Sequence, residues 1–403
     1  MTPEIKQRIE QIRRGEMPER YVKTALGLAP ANWKRYTFGD IYTERKEPGD
    51  EKLPLLMVSI HSGVSDGEVD AAELPKQVKR IEDKSQYKKA VSGDLVFNMM
   101  RAWQGAIGTV RTTGMVSPAY IVAEPNDKAY PLFMDYYSRT PQMINQIDRQ
   151  SYGVTDFRKR LYWDSFAPIG CILPPIAEQR KIAAILTTQD KVIELKEKRL
   201  AEKQRQKKYL MQQLLTGKKR LPGFIGKWKT FGFNEIFITI STKGHQINKA
   251  EYETKGRYPV IDQGRQMIAG YSNKAEKALM CPKEGVIVFG DHTREIKFVN
   301  FDFIVGADGT QLLSAKSKNA AIKYLFYYLS NKDIHSDGYS RHFKYVKEFT
   351  YRLPPLGEQT AIAEVLSAAD HEIELLQQDI EQEKQKKKAL MQLLLTGIVR
   401  VKT

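Results

Sequence analysis

Polar and basic side chains gather beside glycines at two places in each half of this chain. In the first half they are Asn98, Arg101 and Gln104, with Trp103 among them, and the later run Arg158-Lys159-Arg160. In the second half they are His292, Arg294 and Lys297, then Arg341-His342 and Lys344. Glycine lets a loop approach a groove closely. Arginine can grip guanine O6 and N7 with both arms, and Asn or Gln can do the same for adenine. Lysine suits phosphates, where it gives affinity without sequence information. The chemistry these residues offer is base reading. Each also has a plainer reading as surface charge or local pairing, and Trp103 serves equally well as a buried support for its loop.

Bond-making chemistry has thinner support. Asp262 with Glu295-Ile296-Lys297 has the residue types of a nuclease metal site, in which carboxylates hold Mg²⁺. The pattern is short, common in basic proteins and confined to the second half. No phosphate-binding GxxxxGK[ST] loop appears, and no Asn-Pro-Pro-Tyr adenine-methylation motif, since the Pro-Pro pairs follow Leu173 and Leu353. Cys171 and Cys281 have no CxxC partner, which fits a reducing compartment and argues against a disulfide framework or a structural zinc. There is no apolar signal core at Met1-Thr2-Pro3-Glu4 and no long apolar run, so the expected location is the cytoplasm.

The elements that must position these residues are declared by repetition. Leu173-Pro174-Pro175-Ile176-Ala177-Glu178-Gln179 returns as Leu353-Pro354-Pro355-Leu356-Gly357-Glu358-Gln359. Leu214-Leu215-Thr216-Gly217 returns as Leu394-Leu395-Thr396-Gly397, again 180 positions on. Between the two motifs lie helix-forming residues with a seven-residue stripe. The stripe is Leu186, Ile193, Leu200, Lys207 and Leu214 in one copy, and Leu366, Ile373, Ile380, Lys387 and Leu394 in the other. Two rods of about 60 Å follow, packing most simply as an antiparallel coiled coil. Glu178 and Glu358 sit where carboxylates oppose the helix dipole, and Gly217 and Gly397 where a left-handed cap is wanted. The lysines of 196–208 and 384–388 read either as a solvated outer face or as phosphate contacts.

The segments before the rods echo each other more faintly, as Trp33-Lys34 does Trp228-Lys229 and Leu132-Phe133 does Leu325-Phe326. Runs such as 54–60 and 93–97 read as strands bounded by turns. The fold class is therefore α/β (α+β). Two heads with mixed sheets are joined by two long helices in a pseudo-twofold repeat. The expected divisions are an N-terminal helical segment at 1–30, a first head at 31–172, a central helix at 173–217, a second head at 218–352 and a final helix at 353–403. Ile5, Ile9 and Ile12 stand at helical spacing in the polar, charged stretch from Pro3 to about Gly27 and read as a short amphipathic helix. Diverged heads on alike rods suggest one scaffold presenting two specificities. Sixty-four Lys and Arg against 48 Asp and Glu, a formal charge of +16, point to a polyanionic partner. A pseudo-twofold protein suits a twofold partner, and duplex DNA is the leading candidate.

With its doubled Pro-Pro-x-x-Glu-Gln and Leu-Leu-Thr-Gly motifs and Trp-Lys openings, the chain resembles the specificity subunits of type I restriction–modification systems. The stretch 93–108, with Asn98 to Gly105, and the stretch from Gly290-Asp291-His292 to Gly309-Thr310 are similar to that family's target-recognition domains. The resemblance implies that each head reads half of a bipartite site on double-stranded DNA, while the coil fixes the gap. It also implies two docked modification (methyltransferase) subunits that methylate adenines, and restriction (endonuclease) subunits that join that core. S-adenosylmethionine, ATP and Mg²⁺ are then expected on those partners, and no cofactor, metal or catalytic residue on this chain. Two competitors remain: a stand-alone Mg²⁺-dependent nuclease, and a coiled-coil scaffold that binds protein only.

Overall fold

The computed structural model describes residues 3–50, 52–65, 86–155, 158–316, 319–336, 338 and 340–402. Two long helices dominate the chain, α1 (Ile176–Leu214) and α2 (Leu356–Leu395). The chain divides into two compact units, one of residues 1–195 and 380–403, the other of 196–379. The division falls inside each long helix, so the rods are not bodies separate from the heads. Each unit holds a head, the first half of one rod and the second half of the other.

In unit 1 the head is built on an antiparallel sheet of β1 (Tyr42–Arg45), β2 (Leu95–Asn98), β3 (Ile107–Thr109) and β4 (Tyr120–Pro125), in the order β1-β4-β2-β3. Successive side chains of a strand point to opposite faces. Leu95, Phe97, Ile121 and Ala123 therefore face helical elements and the rod residues Ile182, Leu186 and Leu394. Val96 and Val122 face the other way and pack with Leu56 and Val58. A sheet covered on both faces explains why these strands read as unbroken apolar runs. The 54–60 run contributes less than expected, pairing as a strand only at Val58–Ser59.

Unit 2 repeats the plan. Its sheet, β5 (Phe237–Ile240), β6 (Val286–Gly290), β7 (Ile296–Val299) and β8 (Thr310–Ala315), has the order β5-β8-β6-β7. Ile287, Phe289 and Leu313 meet the helix Ile322–Ser330 and the rod residues Ile362 and Leu366. Val286, Val288 and Leu312 face Ile261, Phe303 and Val305. A further four-stranded sheet in this head pairs Tyr258–Ile261 both parallel and antiparallel with its neighbours.

The N-terminal helix is short and holds all three of its isoleucines, Ile5, Ile9 and Ile12. It spans Pro3–Arg13, and Tyr21–Thr24 with Gly27–Pro30 form a hairpin. Among the described residues no helix is long and apolar enough to cross a membrane.

The seven-residue stripe is the seam in both units. Leu186, Ile193, Leu214, Leu366, Ile380 and Leu394 are buried, and Leu200 and Ile373 partly so. Within unit 2, Lys196 pairs with Asp379 at 2.8 Å and Lys203 with Glu372 at 2.9 Å, so partner numbers fall as α1 advances. That is antiparallel packing. These two lysines are thereby committed to the rod–rod interface, which neither the outer-face nor the phosphate reading anticipates.

The seam lysines have a specific task. In unit 1, Lys387 meets Asp190 at 2.5 Å and lies over the Tyr136 ring, and the Tyr136 hydroxyl donates to Asp190 at 2.6 Å. In unit 2, Lys207 meets Asp370 and lies over Tyr327, whose hydroxyl donates to Asp370 at 2.7 Å. A polar group at one core position fixes register at some cost in stability. Burial, aided by the acceptor carboxylates, pushes both phenols well above their ordinary range. The sign follows from linkage. A phenol raised in the folded state contributes stability that is full below about pH 10 and lost as pH climbs beyond it. Urea midpoints are thus expected to fall between about pH 10 and 11, and to fall less steeply in a Tyr136→Phe/Tyr327→Phe variant. An unchanged slope in that variant would remove these two phenols from the account.

Candidate nucleic-acid interface

Each repeated motif locks a rod to a head. Gln179, buried at the start of α1, donates to the Pro174 and Lys128 carbonyls, both at 2.9 Å, and accepts from the Tyr130 amide at 2.8 Å. Gln359 does the same to Pro354, Asn319 and Ala321. Glu178 is 1% exposed and receives both arms of Arg400, at 2.6 and 2.7 Å, with Trp33 Nε1 at 3.3 Å. Glu358, fully buried, receives Arg220 at 2.6 Å twice. The carboxylates oppose the helix dipole as expected, but the buried arginine fork is the larger interaction.

The glycine ends complete the same joints. Gly217 and Gly397 have φ of +74° and +72°, and a side chain there would press on Trp228 and Trp33 respectively. The Leu-Leu-Thr-Gly ending and the Trp-Lys opening are thus two sides of one contact. The final helix closes onto the first head and the central helix onto the second.

In head 1 the two residue runs singled out by the sequence lie side by side. Asn98 closes β2, and its side chain accepts from the Met100 amide at 2.8 Å, starting a turn that ends at Gly105 with φ +104°. Arg101 and Gln104 stand exposed on that turn. Trp103 is half-buried, donates to the Met100 carbonyl at 3.0 Å and carries Lys159 over its ring at 4.9 Å. The second run arrives through a backbone bond from Leu161 to Met99 at 2.9 Å and a pairing of Tyr152 with Arg160. Arg158 is exposed, Lys159 pairs with Asp148 at 2.8 Å, and Arg160 donates to the neighbouring Lys159 carbonyl. Arg101, Gln104 and Arg158 face solvent, Trp103 and Lys159 brace them, and Asn98 shapes the turn.

Head 2 also brings its two runs together, through Asp291. The His342 amide and the Asp291 carbonyl bond at 2.8 Å, the His342 ring meets that carbonyl at 2.9 Å, and the Phe343 amide donates to the Asp291 carboxylate at 2.8 Å. His342 is 1% exposed, so it pins the two loops and is not placed to read bases. Lys297 is likewise interior at 7% exposure, donating to the Asp262 and Gln266 carbonyls, and burial pulls its ammonium below the usual range. Both were expected at the surface. Their burial follows from the strand position of Lys297 and the close approach of the loop bearing His342. Arg294 stands exposed at φ +62°, donating to the Ile334 carbonyl at 2.9 Å. His292 is half-buried beside Gly309, where a side chain would come within 2.7 Å of its ring. Arg341 and Lys344 are exposed, the latter over the Tyr345 ring.

The supposed nuclease group does not have metal-site geometry. Lys297 Nζ lies 3.7 Å from Asp262 and Glu295 faces Arg265 at 3.5 Å, so each carboxylate already has a cation.

A pair of like-built heads, each with basic and amide side chains on glycine-bearing loops and each clamped to a long helix, defines a two-headed recognition scaffold. Comparison with known proteins names the class. The family model of the type I restriction modification DNA specificity domain matches residues 225–385. A putative specificity subunit of the type I restriction enzyme MjaX from Methanocaldococcus jannaschii is 26% identical over 426 residues, covering 96% of this chain and 98% of that protein. The MjaVIII specificity subunit from the same organism is 23% identical, covering 79% and 83%. The solved type I S subunit from M. genitalium shares the fold at a TM-score of 0.60 and 14% identity, covering 92% of this chain and 97% of that one. The chain is thus similar over nearly its whole length to the specificity subunits of type I restriction–modification systems, and residues 225–385 match their DNA specificity domain. Specificity subunits are non-catalytic components of those complexes, and recognition is the role this likeness supports.

Sequence reasoning missed Arg400 and Arg220, whose partners lie 222 and 138 residues away. The doubling could have found them, since Arg220 and Arg400 are themselves 180 positions apart.

Proposed function

We propose that each head reads one half of a bipartite DNA site, that the coil sets the gap, and that docked modification subunits methylate adenines within the site. The observation that carries this is the pairing of one repeated sheet and rod joint with two different sets of exposed loop residues. Arg101, Gln104 and Arg158 are the readers in head 1, and Arg294, Arg341 and Lys344 the contacts in head 2. S-adenosylmethionine, ATP and Mg²⁺ belong to the partner subunits, and the cytoplasm is the place of work.

The test is co-expression with a type I modification subunit that assembles with the chain, and mapping of methyladenine on host DNA. A bipartite motif with a fixed gap, lost when the chain is deleted, is expected. No new methylation from a complex that assembles would sink the reading. Gln104→Ala or Arg101→Ala should relax one position of one half-site, at about 1–3 kcal/mol of discrimination, and leave the other half intact.

Two copies of one partner fit the exposed faces of the rods. Ile185 and Leu195 in unit 1 are 38% and 65% exposed, and their repeats in unit 2, Val365 and Leu375, are 37% and 51%. Apolar side chains exposed at repeated positions of a charged rod support two equivalent docking sites. Leu195→Asp should cost the complex one methyltransferase by light scattering, and Leu195→Asp/Leu375→Asp should cost both. Full assembly by the double variant would move the docking face elsewhere.

A further inference from the structure

Head 1 gathers its exposed large apolar side chains on one edge. Among its described residues these are Met100, Tyr152, Val154 and Tyr162, at 41%, 57%, 90% and 42% exposure. Met100 lies in the turn that carries Arg101 and Gln104. The Tyr152 and Tyr162 rings pack against each other with centroids 5.6 Å apart. Tyr162 directly follows Leu161, which bonds to Met99, so the ring pair and the turn share one edge of the head. Single exposed apolar residues need no explanation, but a cluster beside the exposed Arg101 and Arg158 does. Cations beside a small apolar centre match a duplex groove, where phosphates flank the thymine 5-methyl group. Specific protein interfaces instead bury a larger apolar core that is itself depleted of charge.

We infer that head 1 reads an A·T pair in the major groove. The Tyr152–Tyr162 pair and Met100 cover the thymine methyl, and Gln104 takes the adenine edge. This rests on the proposed role of the head in DNA recognition. The methyl group is a discriminating feature because cytosine lacks it and uracil differs from thymine by it alone.

The experiment uses the assembled complex with its methyltransferase subunits and duplexes bearing the mapped target. Each thymine of both half-sites is replaced in turn by uracil. Removing one buried methyl is expected to weaken binding about fourfold at one thymine of one half-site. That loss should vanish in a Tyr152→Ala/Tyr162→Ala variant and persist in Tyr152→Phe/Tyr162→Phe. The unaltered response of the other half-site to its own base changes checks that the alanine variant is folded. A half-site pair with no methyl-sensitive thymine, or a methyl effect equal in the wild type and the alanine variant, overturns the inference while DNA recognition stands. Binding without any sequence preference overturns both.

Discussion

Arg400→Ala is expected to lower the stability of unit 1 by about 3 kcal/mol, the lower end of the range for breaking a buried ion pair. The lower end applies because the Arg400 side chain keeps 31% of its exposure while Glu178 keeps 1%. The loss comes from the carboxylate left behind. Both Glu178 oxygens bond the guanidinium, and among the described residues only Trp33, at 3.3 Å, supplies another side-chain donor. Without the arginine a buried charge faces the apolar packing of Trp33 and the head. In a unit of this size 3 kcal/mol lowers Tm by roughly 6–12 °C. Replacing both partners by apolar residues, as in Glu178→Leu/Arg400→Met, should recover most of the loss, because no orphaned charge remains. Calorimetry of the two variants checks this. A single variant within about 2 °C of wild type, or a double variant worse than the single, would show that the joint is held by something else.

The same joint shows what the sequence could and could not declare. The rods were legible because their stripe recurs every seven residues and no proline interrupts them. The glycine caps were legible because φ above +70° at Gly217 and Gly397 is a demand few other residues meet. The neighbourhood of the candidate loops was also legible, since Asn98 to Gln104 and Arg158 to Arg160 do meet. Burial at single loop positions was not. His342 and Arg341 are adjacent in sequence and equally polar, yet one is pinned beneath Asp291 and the other exposed. That difference is set by a backbone contact from 51 residues away, which no local pattern encodes. Tyr152 and Tyr162 were passed over for the opposite reason. Tyrosine is intermediate in burial, and its type alone does not mark these two as surface. Nor did the lysine runs reveal that Lys196, Lys203 and Lys207 answer acids on the other rod, because those acids are Asp379, Glu372 and Asp370, far along the chain.

Inserting four residues after Lys198 and four after Gln378 is expected to abolish methylation at the native target and create a new one. Both half-sites should be unchanged and the gap about two base pairs longer. Four residues add about 6 Å of helix, and two base pairs about 6.8 Å of DNA. Rotation agrees tolerably as well. Four residues exceed a helical turn by about 40°, and two base pairs turn the duplex by roughly 70°. The coil absorbs an insertion of four as a stutter, with local unwinding of the seam. A seven-residue insertion is the instructive contrast. It keeps the Leu186, Ile193 and Leu200 stripe in phase and adds about 10.5 Å, close to three base pairs. Three base pairs turn the duplex by roughly 100°, however, while a whole heptad leaves the rod faces nearly where they were. The longer insertion should therefore fold as well as the shorter one and methylate DNA more weakly at any gap. Methyladenine mapping of both variants decides the matter. Altered half-sites at the native gap would mean that the rods do not measure the site. Equal methylation by both variants would mean that the heads turn freely on their joints, and that length alone, without helical phase, sets the target.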